Sequence, residues 1–200
     1  MSVLDSWARI ERWLSEHAPF VLDSLNPGAD ADAIQAAGAV LGVEPFPDDF
    51  VQSWQIHDGQ KWDNRPPLVA GSLGSYPLMP LQWVVAHWES WTGLASSGTF
   101  DGIHGAPRGP VRADWWNRRW VPIGVNGVGD MVCLDLDPPE GGTVGQVIEV
   151  LHEDGDRTVL APSLSAWLDG FAYDLETEAY NAYDATHDRY FGLVHVRDLD

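Results

Sequence analysis

Near residue 120 the apolar period of this 200-residue chain changes from that of a helix to that of a strand. Before that point apolar residues recur at helical spacing: Val3, Leu4, Trp7, Ile10 and Leu14; Ile34, Ala37 and Leu41; Phe50, Val51 and Trp54; Val84, Trp88, Trp91 and Leu94 or Ala95. That spacing places each set on one face of a helix. Beyond it, Trp120 to Val125, Met131 to Leu136, Gly145 to His152 and Arg157 to Ala161 read as short strands. Asn126-Gly127 between the first two is a strong hairpin signal, because both residues accept positive φ. In the second strand Val132, Leu134 and Leu136 share one face, and Cys133 and Asp135 the other. A last helix carries Leu164, Trp167, Leu168, Phe171 and Leu175. The order of helices, an antiparallel meander over 120–161 and a closing helix specifies an α+β fold, with helices flanking a mainly antiparallel sheet.

Punctuation along the chain sets the boundaries. Ser2 and Asp5 form a capping box for the first helix, which should run to about Glu16, ahead of Pro19. Phe20 to Leu25 is an apolar patch closed by the turn Asn26-Pro27-Gly28. Asp30 or Asp32 caps a second helix, and Gly42 stands where a helix C-terminal glycine belongs. Pro47-Asp48-Asp49 starts a third helix, ended by Gly59. Pro80 opens a fourth, and Ser163 or Ser165 caps the last. Lys61 to Met79 is expected to be a loop with a short strand around Leu68 to Leu73, and Ser96 to Ala113 a Gly- and Pro-rich loop. Residues 1–180 form one domain. Residues 181–200 are an acidic extension, which either adds an edge strand near Tyr190 to Val196 or frays.

Charge narrows the function. Thirty acidic residues against eleven basic give a formal charge of −19. That field repels nucleic acid and anionic membrane and speeds encounter with a basic protein. One cysteine, Cys133, excludes a disulfide within the chain and a Cys-based zinc cluster. No signal peptide precedes the first helix, and no apolar run reaches the ~18 residues of a membrane span, so a soluble cytoplasmic protein is expected.

The ordinary catalytic kits are missing. His57-Asp58 sits at a predicted helix end, where neighbours in sequence do not face each other. Asp130, Asp135 and Asp137 lack the spacing of a calcium loop, and the seven His lack H-E-x-x-H. Cys133 lies mid-strand among apolar residues, as a buried small hydrophobe would. Gly141-Gly142-Thr143-Val144-Gly145 has no Lys-Ser/Thr end and leads into a strand. No enzyme, no metal and no cofactor is expected.

An ordered set of short motifs runs through the chain. Trp7-x-x-Ile10-Glu11-x-Trp13-Leu14 precedes Leu41-Gly42, Pro47-x-Asp49-Phe50 and His57-Asp58-Gly59-Gln60. Trp115-Trp116-Asn117-x-x-Trp120-Val121-Pro122-Ile123, Gly129-Asp130-x-x-Cys133-Leu134-Asp135-Leu136, Gly145-Gln146-Val147-Ile148, His152 and Trp167-Leu168-x-x-Phe171-Ala172 follow. This set resembles the SUKH superfamily, in the branch of the fungal cell-wall assembly regulators. The resemblance implies a strongly bent sheet with flanking helices and a non-enzymatic role. For a bacterial member it implies an immunity protein that neutralises a cognate toxin. For a fungal-type member it implies a regulatory scaffold in glucan synthesis.

The leading expectation is a toxin-neutralising module with a basic toxin domain as partner; the alternatives are a cell-wall regulatory scaffold and a small-ligand or hydrolytic domain with a His/Asp site. Trp62, Trp115 and Trp116 fall in predicted loops and are the expected interface anchors. For Trp115 and Trp116 a second reading stands, that they cap the core over the meander. His57, Asp58 and Gln60 either rim the same concavity or hold a turn. Composition and spacing are silent on oligomeric state.

Overall fold

A computed structural model describes residues 1–61, 69–71, 74–183 and 192–196. Among them the helices are α1 (Val3–His17), α2 (Pro19–Leu22), α3 (Ala31–Leu41), α4 (Asp48–Ile56), α5 (Leu81–Ser96) and α6 (Leu164–Glu176). The strands are β1 (Val69–Gly71), β2 (Gly74–Tyr76), β3 (Ala106–Arg108), β4 (Trp120–Val125), β5 (Met131–Asp135), β6 (Gln146–Val150), β7 (Asp156–Ala161), β8 (Tyr180–Tyr183) and β9 (Gly192–His195). The fold is α+β.

The helix ends follow local chemistry. Ser2 Oγ accepts the Asp5 N–H and donates to Asp5 Oδ2. Asp30 Oδ1 accepts Ala33 N–H at 2.7 Å, and Ser163 Oγ accepts Ala166 N–H at 3.1 Å. Gly42 ends α3 at φ +64°. α1 buries Val3, Trp7, Ile10 and Leu14 against α6 and α4, worth about 1.5–3 kcal/mol per large side chain removed from water. Arg9 ties α1 to α6 through Asp169 and Glu176, both at 2.6 Å. Phe20 to Leu22, within the expected apolar patch, belong to the short α2.

The meander forms as expected, in the order β3-β7-β6-β5-β4. Its fifth member corrects the sequence reading: Ala106-Pro107-Arg108, inside the expected loop, pairs parallel to Asp156–Thr158. Extra residues shift the register between Pro122 and Gly124 and between Val147 and Ile148, and such bulges bend and twist a sheet. Every residue of β4, β5 and β6 is buried. The outer edge of β4 is covered by Leu78, which bridges to Gly124, and by Met79, whose N–H donates to Ile123 O. β9 does not extend this sheet. It pairs with β8 in a separate two-stranded ladder.

Candidate partner-binding site

His57, Asp58 and Gln60 follow α4 and stitch three parts of the chain together. Both ring nitrogens of His57 face acceptors: Nδ1 lies 2.9 Å from Asn26 O and Nε2 2.7 Å from Glu11 Oε1. Both nitrogens are taken up by neighbouring groups, so neither is presented to a substrate as a general base would be. The Trp7 indole packs against the imidazole with ring centroids 4.8 Å apart. Asp58 Oδ1 accepts the N–H of Leu81, the first residue of α5, at 2.7 Å. Burial raises the Asp58 pKa, and the bond from Leu81 only partly offsets that. Gln60 is 2% exposed. Its amide donates to Ser24 Oγ and accepts from Leu78 N–H. Gly59 holds φ +62°, and a Cβ there would stand 2.2 Å from Pro80 N. The sequence places this residue at a helix end, whereas α4 stops at Ile56 and the glycine serves the close crossing with the Leu78–Pro80 segment.

The tryptophans divide. Trp116 is 7% exposed. Its indole N–H donates to Thr92 Oγ1 of α5 at 3.1 Å, and its ring meets Trp91 and Trp120. Trp116 and Gln60 are therefore closed to a partner in this conformation. Trp115 is half-buried and lies over the Arg157 guanidinium, 4.9 Å from the ring centroid. Trp62 lies outside the described residues.

Arg157 is the organising residue that sequence reasoning missed. It is fully buried. Its Nη1 donates to Leu151 O, Asp154 O and Asp156 O, and its Nη2 to Trp115 O. Burial draws its pKa down to about 10, which leaves it charged at neutral pH. Nothing local marks such an arginine, because its acceptors are backbone oxygens, one of them 42 residues away.

The other titratable pairs are also engaged in structure. Asp130 Oδ1 accepts His152 N–H at 2.9 Å and lies 3.3 Å from His152 Nδ1, while Oδ2 accepts from Asn126. Burial acts to raise the Asp130 pKa, but the bonds from His152 and Asn126 outweigh it and hold the carboxyl below its usual range. Asp135 turns to Gln146 and the Asp137 N–H, and burial raises its pKa. Tyr76 donates to Glu149 in the core, and burial, then Glu149, push its phenol upward. Among the described residues no group of three His, Cys, Asp or Glu is placed to hold a metal ion.

One signal was available in the sequence and went unread. Between Ala18 and Gln60 stand Asp23, Asp30, Asp32, Glu44, Asp48, Asp49 and Asp58, with no Lys or Arg. This block carries α3 and α4. No helix among the described residues is long and apolar enough to cross a membrane.

Comparison with known proteins agrees with the motif order. The fission yeast Schizosaccharomyces pombe protein named cell wall biosynthesis/cell cycle regulator smi1 is 28% identical over 87% of this chain and 36% of its own length. The Saccharomyces cerevisiae cell wall assembly regulator SMI1 is 25% identical over 94% of this chain and 43% of its own length. The Neurospora crassa glucan synthesis regulatory protein is 25% identical over 88% and 38%. This chain thus spans well under half the length of these relatives, all named as regulators. The model of the SMI1 / KNR4 family (SUKH-1) matches residues 28–170, from the turn before α3 into α6, and the chain belongs to that family of the SUKH superfamily.

Proposed function

We propose that this chain is a non-catalytic module of the cytoplasm that works by holding a basic protein partner. One observation carries the proposal: between Ala18 and Gln60 stand seven carboxylates and no Lys or Arg, six of them on or beside the helices α3 and α4 that open the family's shared region. Such a field steers a cationic partner and rejects anionic ones, nucleic acid and membrane among them. The engagement of His57 with Glu11 and of His152 with Asp130 supports the non-catalytic part, since both pairs hold turns together.

Two finer roles fit such a module. The relatives' names support a regulatory scaffold in cell-wall or glucan synthesis. The formal charge of −19 supports an immunity protein that blocks a basic toxin domain. The regulatory role has the broader support. Deleting the gene separates them: a scaffold predicts wall fragility in pure culture, and an immunity protein predicts death only when the toxin is expressed. Titrating the purified chain with the purified partner tests the shared claim. Binding that survives high salt unchanged, or a partner of acidic charge, would refute it.

A further inference from the structure

An apolar groove of about 350 Å³ opens between α3 and α4. Its floor is rigid. Ile34 and Phe46 are 4% and 5% exposed, and Phe46 packs tilted against Phe50, which stacks on Trp54, at centroid spacings of 4.3 and 4.2 Å. Trp54 is locked in turn by its indole bond to Met79 O. The rim is open: Ala31, Gln35, Glu44 and Pro45 are exposed, and Val51 is half-buried. This volume is at the low end of the ~300–1,000 Å³ of small-molecule sites, and suits an anchoring side chain better than a cofactor.

The charges around the rim are almost all of one sign. Asp32, Glu44 and Asp48 are exposed and hold no ion-pair partner among the described residues. Beside them Asp30 caps α3, and Asp49 accepts the N–H groups of Phe50 and of Ser165 in α6. The nearest cation in hydrogen-bond contact with α3 is Arg119, which donates to Gly42 O at the far end of that helix. Apolar floor and acidic rim together select one kind of occupant.

Resting on the basic-partner reading above, we infer that the α3–α4 groove is where that partner docks, through an amphipathic segment whose apolar side chain enters the groove while flanking Arg or Lys residues meet Asp32, Glu44 and Asp48. This is the helix-in-groove mode of recognition, with charge fixing orientation.

The test uses the full chain and two synthetic amphipathic peptides, one with Leu along one face and Arg along the other, and one with every Leu replaced by Ser. Binding is read by fluorescence anisotropy, and amide shifts are mapped by NMR. The Leu peptide should bind at least about tenfold more tightly than the Ser peptide, since the buried anchor dominates such contacts. The exposed double variant Gln35→Arg/Glu44→Arg should weaken it about tenfold, and Glu153→Arg/Asp154→Arg, in the turn past the far end of β6 and with no smaller a charge change, less than about threefold. Shifts should centre on residues 31–51. If both peptides bind alike and both variants weaken them equally, the groove is overturned and the basic-partner reading stands. If neither peptide binds, the groove is overturned, and titration with the native partner decides the wider reading alone. Self-association of the chain lost in Gln35→Arg/Glu44→Arg would assign the groove to a second copy and overturn the proposal.

Discussion

Arg157→Met removes one donor group from four carbonyl acceptors at once, and the structure sets how much should be lost. The guanidinium gives four hydrogen bonds, at 2.7, 3.1, 2.8 and 2.7 Å, to Leu151, Asp154, Asp156 and Trp115. Bonds to a charged group contribute roughly 1.5–3 kcal/mol each. The Trp115 and Trp120 rings, 4.9 and 5.9 Å away, add about 0.5–2 kcal/mol. Against this stands the cost of burying the charge, several kcal/mol, which the methionine recovers. The balance is a loss of about 3–5 kcal/mol, as for other buried charged groups whose partners are left behind. Arg157→Lys keeps the charge but not the planar fork, and should fall between wild type and Arg157→Met. Urea unfolding followed by far-UV circular dichroism and tryptophan fluorescence measures both. For a chain of this size the Arg157→Met midpoint should fall by roughly 10 °C on heating. A loss below about 1 kcal/mol would refute the reasoning, because the four carbonyls would then be served as well by water.

Gly59→Ala should cost at least about 3 kcal/mol, since it combines a left-handed φ with a Cβ placed 2.3 Å from Met79 C; a thermal shift under 2 °C, roughly 1 kcal/mol, would contradict the close crossing. The Asp130 and Asp137 carboxyls lie below their usual value of 3.8, so the stability they contribute is present above that pH and is lost as pH falls through their lower native values. Urea midpoints between about pH 5 and 3 should therefore drop less steeply for Asp130→Asn than for wild type. Asp58 and Asp135 act oppositely: their raised values give stability below 3.8 that is lost as pH rises through the native pKa. Burial pushes the Cys133 thiol up, so a thiol-specific chromogen should not react in native buffer and should react fully in denaturant.

The parts of the fold that were legible in the sequence are those whose cause lies within a few residues. Ser2, Asp30, Gly42 and Ser163 cap where the local chemistry requires. The meander was readable because apolar runs and turn residues fall at strand length. β3 was not: its three residues centre on Pro107 between Gly105 and Gly109, which read as loop, and their partner lies some fifty residues on, on β7. The candidate site was the least legible. His57 and Gln60 look like free polar groups, but their partners, Glu11, Ser24 and Leu78, come from other elements. Trp116 sits in an irregular segment, yet the aromatic ring set of α5 encloses it.

The sequence by itself determined the α+β class, the helix caps, the hairpin at Asn126 and the acidic field, because each rests on local propensity or on summed charge. Tertiary structure alone decided that both faces of the meander are covered, that Arg157 is caged by carbonyls, and that an apolar groove opens among the carboxylates of α3 and α4. These depend on which distant segments meet, and neither periodicity nor composition records the distance between them.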